Sequence, residues 1–300
     1  MKKGRGVLCE GNEVKYRFIQ MQRTHYPVTR LCFVLGVSTS GYYGWCNRVE
    51  SVTTRWRRKL IKQISRIFLE NKQVYGSPRI HAELAEQGEK VCVNTVAKLM
   101  RQNDIQSKVF RRFVVTTNSR HTLAAAPNRL NRGFKAVKAN EKWVSDVSFI
   151  TTREGWLYLA AVMDLFSRKI IGWSMGNRHN TQLVIAALEM AIARRGEVRN
   201  VLLHSDRGIQ YASKVYRDKL AEYGIACSMS RKGDCWDNAP MESFFHTLKT
   251  ECVNFEDYKT RSQARRNLFD YIELFYNRRR KHSTINYMSL ATFENAAGVH

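Results

Sequence analysis

The order of hydrophobic patterns between Trp143 and Met229 constrains the fold more than any other feature of this chain. Stretches 143–151, 156–163 and 168–175 each read as a strand, rich in β-branched and aromatic residues, and the first alternates through Trp143-Val144-Ser145-Asp146-Val147-Ser148-Phe149-Ile150. Only short turn signals, Arg153-Glu154-Gly155 and Ser167-Arg168, separate them, so the three strands join as hairpins. The period then changes. Asn180 to Arg194 places Leu183, Val184, Ala187, Leu188 and Ala191 on one helical face and stops at Gly196. Strand 201–204, helix 213–223 closed by Gly224, strand 225–229 and a last helix complete the set. Hairpin-linked strands followed by alternating helices and strands predict an α/β domain built on a mixed five-stranded sheet.

Three carboxylates occupy telling places in that order. Asp146 lies within the first strand. Asp206, in His204-Ser205-Asp206-Arg207-Gly208, follows the apolar run Val201-Leu202-Leu203, where a buried strand opens into a loop. Glu242 follows Asp237-Asn238-Ala239-Pro240, with Asn238 suited to cap a helix and Pro240 to occupy its first turn. Hard oxygen ligands with open positions suit Mg²⁺ or Mn²⁺, and two such ions ~3.5–4 Å apart support phosphoryl transfer. A single Asp in a basic chain is ordinarily a cap or an ion-pair partner, so the weight rests on the spacing and the flanking residues. Asp164, at the end of the second strand, reads as a turn or structural carboxylate, and neither His204 nor Glu251 is taken as a metal ligand.

The charge of +24 over 300 residues argues for a polyanionic partner such as nucleic acid, because so positive a surface repels itself. A membrane is the competing polyanion, yet no apolar run reaches the ~18 residues that span a bilayer, and Met1-Lys2-Lys3-Gly4-Arg5-Gly6 lacks an apolar signal core. The expected place is the cytoplasm, on DNA. The cysteines (Cys9, Cys32, Cys46, Cys92, Cys227, Cys235, Cys252) are odd in number, scattered and without a Cys-x-x-Cys pair, which indicates neither a disulfide scaffold nor a zinc module. His25 with Cys32 and Cys46 is the nearest approach to a ligand cluster, but no His-x₃₋₅-His pair accompanies them.

Ahead of the sheet the patterns are helical. Val14, Tyr16, Phe18 and Ile19, then Val28, Leu31, Cys32 and Leu35, keep helical spacing up to a break at Gly36-Val37-Ser38; Ser38 then opens a helix with Tyr42, Tyr43 and Trp45, a helix-turn-helix order. A second unit follows, with helix 56–70, a helix with Ser77 as cap and Pro78 at its first position that stops at Gly88, and a segment capped by Asn94 and running to Arg101 as the candidate recognition helix. Lys108 to Lys138 is basic and loop-like, including Arg111-Arg112 and Arg120-His121, and residues 260–280 read as one long amphipathic helix with Thr260 and Gln263 in capping-box positions. The divisions drawn are a helix-turn-helix-like segment at 1–50, a second helix-turn-helix domain at 51–110, a basic linker at 111–139, a catalytic domain at 140–255 and a C-terminal helix with basic tail at 256–300.

The chain resembles the DDE transposases of bacterial insertion sequences, the second-reading-frame protein of the IS-three family, relatives of retroviral integrase. The resemblance rests on Trp143 through Ile150, Asp164-Leu165-Phe166-Ser167-Arg168, His204 through Tyr211, Ser228 through Gly233, Asp237 through Phe245, and Tyr276-Asn277-Arg278-Arg279-Arg280-Lys281-His282. It covers nearly the whole chain; Leu290 departs from it, where relatives usually have proline. It implies a ribonuclease H-like catalytic domain, with Asp146, Asp206 and Glu242 as catalytic residues and ligands of two Mg²⁺ or Mn²⁺ ions. It also implies cleavage of element ends, strand transfer through a circular intermediate, and assembly as a homo-oligomer on double-stranded DNA. The upstream-reading-frame (OrfA-type) protein is the implied partner, often joined by frameshifting. Lys249, seven residues beyond Glu242, matches the family's basic residue on that helix; Arg79, Lys98, Arg101, Arg278 and His282 are further candidate DNA contacts. Two other readings stay open: a metal-dependent nuclease that only hydrolyses, and a non-catalytic DNA-binding regulator.

Overall fold

A computed structural model describes residues 10–108, 126–196, 198–232 and 234–299. The linker residues Arg111, Arg112, Arg120 and His121 lie outside that set. The chain divides into two compact units, residues 1–63 and 64–300. In the first, α1 (Asn12–Gln22), α2 (Val28–Leu35) and α3 (Thr39–Cys46) pack around Ile19, Cys32, Leu35 and Tyr42. Gly36 closes α2 at φ +63°, the left-handed conformation that a residue without Cβ adopts at little cost. Ser38 then caps α3 by accepting from the Gly41 N–H at 3.0 Å, which fixes the turn between the two helices.

Helix α4 (Val52–Glu70) carries the chain into the second unit, where α5 (Ser77–Glu86) and α6 (Val93–Gln102) bury Ile80, Leu84, Val96, Leu99 and Met100. Two cap assignments change. Gly76, not Ser77, is the N-cap of α5, with Pro78 in the first turn, and Cys92, not Asn94, is the N-cap of α6. The Cys92 carbonyl already accepts from Thr95 and Val96, so the helix begins before Asn94 can cap it.

Five strands follow: β1 (Lys142–Thr152), β2 (Gly155–Asp164), β3 (Ile170–Gly176), and, after α7 (Thr181–Arg195), β4 (Leu202–Ser205); α8 (Ile209–Ala212) and α9 (Lys214–Glu222) precede β5 (Ala226–Met229). The sheet order is β3-β2-β1-β4-β5, with β1–β2 and β2–β3 antiparallel and β1–β4 and β4–β5 parallel. The mixed five-stranded sheet with helices is thus the expected ribonuclease H-like arrangement. Strand β3 starts later than expected because Arg168 stands in the turn at φ +67°. Helix α7 lies close on the sheet. A Cβ at Gly172 would meet the Ala187 carbonyl oxygen at 2.1 Å, so only glycine admits the helix there.

Helix α10 (Ala239–Glu251) is followed by α11 (Arg261–Phe269) and, near the end of the chain, α12 (Leu290–Ala296). The single helix expected over 260–280 is instead α-helical to Phe269 and π-helical over Asp270–Tyr276, with Asn277 N–H bonded to the Ile272 carbonyl at 3.0 Å. The wider turn puts Tyr271, Ile272, Phe275 and Tyr276 all into the core and aims Asn277 at β3, where its side chain bonds both the N–H and the C=O of Ile170. Thr260 caps α11 through the Gln263 N–H, and Gln263 returns a bond to Lys259 rather than to Thr260. Among the described residues no helix is long and apolar enough to cross a membrane.

Candidate active site

Parallel pairing of β1 with β4 aligns Ser145 with Ser205, so Asp146 and Asp206 are the next residues along adjacent strands. Neighbouring strands run ~4.8 Å apart, which sets the two carboxylates side by side where β4 ends. Each is held from the backbone: the Val147 N–H donates to Asp146 Oδ1 at 2.8 Å, and the Gly208 N–H to Asp206 Oδ1 at 2.8 Å. Burial, then the negative charge of Asp206, and less strongly that of Glu242, push the Asp146 carboxyl well above the ordinary aspartate range, against the opposing pull of Lys249.

Glu242 is exposed in the first turn of α10, and partial desolvation by the protein on one side raises its pKa. Two neighbours place that helix. Asn238 does not cap with its side chain; its Nδ2 donates to the Ser145 carbonyl at 3.1 Å, tying the helix start to the residue before Asp146. Asp237 is fully buried and accepts from the Arg231 N–H and guanidinium, from Asn128 Nδ2 at 2.8 Å and from Arg132 Nε at 3.0 Å. Hydrogen bonds from Arg231, outweighing burial, hold its carboxyl far below the usual range. Sequence reasoning saw Asp237 only as part of a motif. Its function as an anchor for Arg132 depends on a partner 105 positions away, which no local signal reveals.

Lys249 stands on the same helix as Glu242, half-buried, with Nζ 4.8 Å from the centroid of the Phe149 ring. Burial lowers its pKa while the Asp146 charge raises it, which puts the ammonium within electrostatic reach of Asp146. His179, absent from the sequence reading, also feels Asp206; its ring stacks on Tyr158 at 5.3 Å, and burial lowers its pKa overall.

The remaining candidates separate cleanly. Asp164 is wholly buried, accepts from the N–H groups of Asn140 and Phe166 at 3.0 Å and pairs with Arg195, a structural position. His204 bonds Ser228 at 2.8 Å and Ser230 at 3.1 Å, and burial holds its pKa down at about 4. Arg79 is turned inward to Glu251 at 3.2 Å, and Arg280 and Lys281 of the basic tail are buried against Glu251 and Glu86, so these three are occupied within the protein rather than offered to DNA. Lys98, Arg101 and Arg278 are exposed. His282 lines a cavity beside α10.

The donor set suits a hard divalent cation, because two adjacent carboxylates repel each other and a cation between them relieves that repulsion. The expected three-ligand set is not assembled as the side chains stand: among the described residues no three His, Cys, Asp or Glu groups lie close enough to hold one ion together. Asp146 and Asp206 form the fixed part, and Glu242 stands beside them on α10.

Such a sheet, with paired aspartates at adjacent strand positions and a glutamate on the following helix, defines a protein of the integrase-core class. Integrase core domain models match residues 136–235 and 223–289, and an HTH-like domain model matches 55–113. The chain is 42% identical over 284 residues, 94% of its own length and 99% of the relative's, to the transposase InsF for insertion sequence IS3A of Escherichia coli (strain K12). It is 40% identical over 263 residues, 88% of this chain and 97% of the relative, to an uncharacterized 31 kDa protein of insertion element IS600 of Shigella sonnei. Among solved structures, the HTLV-2 integrase catalytic core domain in complex with magnesium (dimeric form) aligns with 52% of this chain and 97% of its own, at 17% identity and a TM-score of 0.39. The chain belongs to the family of IS3 insertion-sequence transposases.

Proposed function

We propose that this transposase cleaves the ends of its element and transfers the freed strands, with Asp146, Asp206 and Glu242 as the catalytic carboxylates. One observation carries the reading: the β1–β4 register sets Asp146 beside Asp206, while Asn238 ties the helix bearing Glu242 to Ser145. Asp146 and Asp206 would hold Mg²⁺ or Mn²⁺, and Glu242 would turn inward to complete the set. Such ions supply activation of the attacking oxygen and neutralisation of charge at the reacting phosphate.

The chain's own residues orient the strand. Lys249 would take a backbone phosphate of the terminal DNA beside Glu242, and Lys98, Arg101 and Arg278 would contact phosphates further out. In the strand-transfer step a 3′-hydroxyl oxygen forms a new bond to phosphorus as the old P–O3′ bond breaks. The DNA is double-stranded, the working assembly holds at least two copies of the chain, and the upstream-reading-frame protein supplies further end recognition.

The test is a cleavage-and-joining assay on an end-labelled element terminus, with Mg²⁺ or Mn²⁺ and with or without the upstream-frame protein, comparing wild type with Glu242→Gln. Joined product that needs metal and disappears in the variant is expected. Linear fragments alone would favour a hydrolytic nuclease, and binding without chemistry under every condition would favour a regulator. Binding should also weaken steeply with salt; a log–log slope near zero would contradict the assigned phosphate contacts.

A further inference from the structure

A cavity of about 230 Å³ opens beside the first two turns of α10, away from the carboxylates. It exceeds the ~150 Å³ that accommodates benzene in an engineered apolar cavity. One wall holds aromatic residues: Phe134 is partly exposed, whereas Phe244 and Tyr276 pack on each other in the core behind it. The other carries hydrogen-bond donors and no carboxylate: Arg168, His282, Ser243 and Thr247.

Two of these donors are unusually available. Arg168 is half-buried yet makes no ion pair among the described residues; its guanidinium reaches only the Phe134 carbonyl, at 3.5 Å. A planar fork of five donors meeting one distant acceptor in a partly desolvated place is matched by an anion. Its backbone, at φ +67°, is of the kind that glycine or asparagine takes more readily, so the backbone conformation does not call for an arginine there. His282 accepts at Nδ1 from the Thr284 N–H at 3.3 Å and Oγ1 at 2.8 Å. Burial, then the charges of Arg280, Arg168 and Arg79, lower its pKa to about 4, so at neutral pH the ring is uncharged and its hydrogen sits on Nε2.

We infer that this cavity binds one nucleotide, its phosphate on the Arg168 guanidinium and the His282 Nε2–H and its base against the Phe134 ring. Ser243 follows Glu242 directly, and successive residues on a helix point about 100° apart. The bound nucleotide therefore lies round α10 from the carboxylates, and on the strand-transfer reading it belongs to the strand being processed. That placement rests on the strand-transfer reading; the nucleotide chemistry of the cavity does not.

The full-length chain is titrated with deoxyadenosine 5′-monophosphate, deoxyadenosine, inorganic phosphate and a short labelled single strand, with the His282 imidazole followed by NMR and strand binding by fluorescence anisotropy. Arg168→Gly is the variant, because glycine suits φ +67° and keeps the fold, which its melting temperature verifies. The monophosphate should move the His282 Nε2–H resonance in wild type, and Arg168→Gly should weaken monophosphate and strand binding about tenfold or more. Binding of the strand with weaker binding of the free monophosphate identifies DNA as the source; equal binding identifies free nucleotides, and both keep the cavity assignment. An unmoved His282 resonance, equal binding of inorganic phosphate and the monophosphate, or unchanged affinities in Arg168→Gly would overturn it. Nucleotide binding in a protein that yields no joined product would leave the cavity standing and remove only the strand-transfer reading.

Discussion

Replacing Glu251 by glutamine should unfasten the end of helix α10, which carries Glu242. Its side chain is 3% exposed, and its two oxygens accept from Arg280 Nε and Nη2, each at 2.7 Å. Tyr271 Oη donates at 2.7 Å and Arg79 Nη1 at 3.2 Å. Around this carboxylate α10 meets the 276–282 segment and helix α5, where Lys281 also pairs with Glu86 and donates its N–H to Tyr75 Oη at 2.8 Å. Glu251→Gln keeps the shape but leaves the Arg280 guanidinium, 5% exposed, without its countercharge. Removing one partner of a buried ion pair costs ~3–5 kcal/mol. At ~2–4 °C per kcal/mol for a unit of this size, Tm should fall by roughly 6–20 °C in thermal unfolding followed by circular dichroism. The pair Glu251→Leu with Arg280→Met should recover part of that loss, because the most deeply buried charge goes with its partner, while Arg79, 23% exposed, loses its countercharge but keeps some access to water.

The pH dependence has a definite sign. Burial pushes the Glu251 carboxyl up, but Arg280, Arg79 and the Tyr271 hydrogen bond outweigh it, so its folded pKa lies below that of an ordinary glutamate. The stability it contributes is present above ~4.3, the unfolded value, and is lost as pH falls through the lower folded value. Glu251→Gln should lack that acid-side loss. A variant within ~1 kcal/mol of wild type at neutral pH, or a double variant no more stable than the single, would refute the reasoning.

Asp146→Asn should abolish joined product and yet raise Tm near neutral pH. The raised folded pKa means that Asp146 favours folding when protonated, an advantage lost as pH rises through that value and restored by the neutral amide; a lower Tm would contradict it. Asp237→Asn, which weakens the bonds from Arg231 and Arg132, should cost ~1.5–3 kcal/mol in denaturant unfolding and reduce joining by loosening the start of α10. Gly172→Ala should destabilise by ~1–3 kcal/mol or more, because its Cβ would strike the Ala187 carbonyl and the Ala191 amide; an unchanged urea midpoint would show that α7 can move away.

The sequence by itself determined the alternation of elements, because hydrophobic period is a local property: 2 along β1, near 3.6 along α7, with Gly36 and Ser38 marking a turn and Asn180 a helix start. It also singled out Asp146, Asp206 and Glu242, since their flanking residues carry the family's pattern. The helix over 260–280 was legible as amphipathic but not as π-helical, because the register change is set by what Tyr271, Phe275 and Asn277 meet in the folded core.

Tertiary structure alone decided which charges work and which are spent. Among 50 lysines and arginines nothing local distinguishes Arg280, buried on a carboxylate 29 positions away, from Arg278, left exposed. The same holds for Arg79, whose partner lies 172 positions on, and for Arg168, whose guanidinium reaches a cavity instead of a carboxylate. Ion-pair partners are chosen by burial and distance after the chain has folded, when desolvation makes an uncompensated charge costly, and one-dimensional order carries neither quantity.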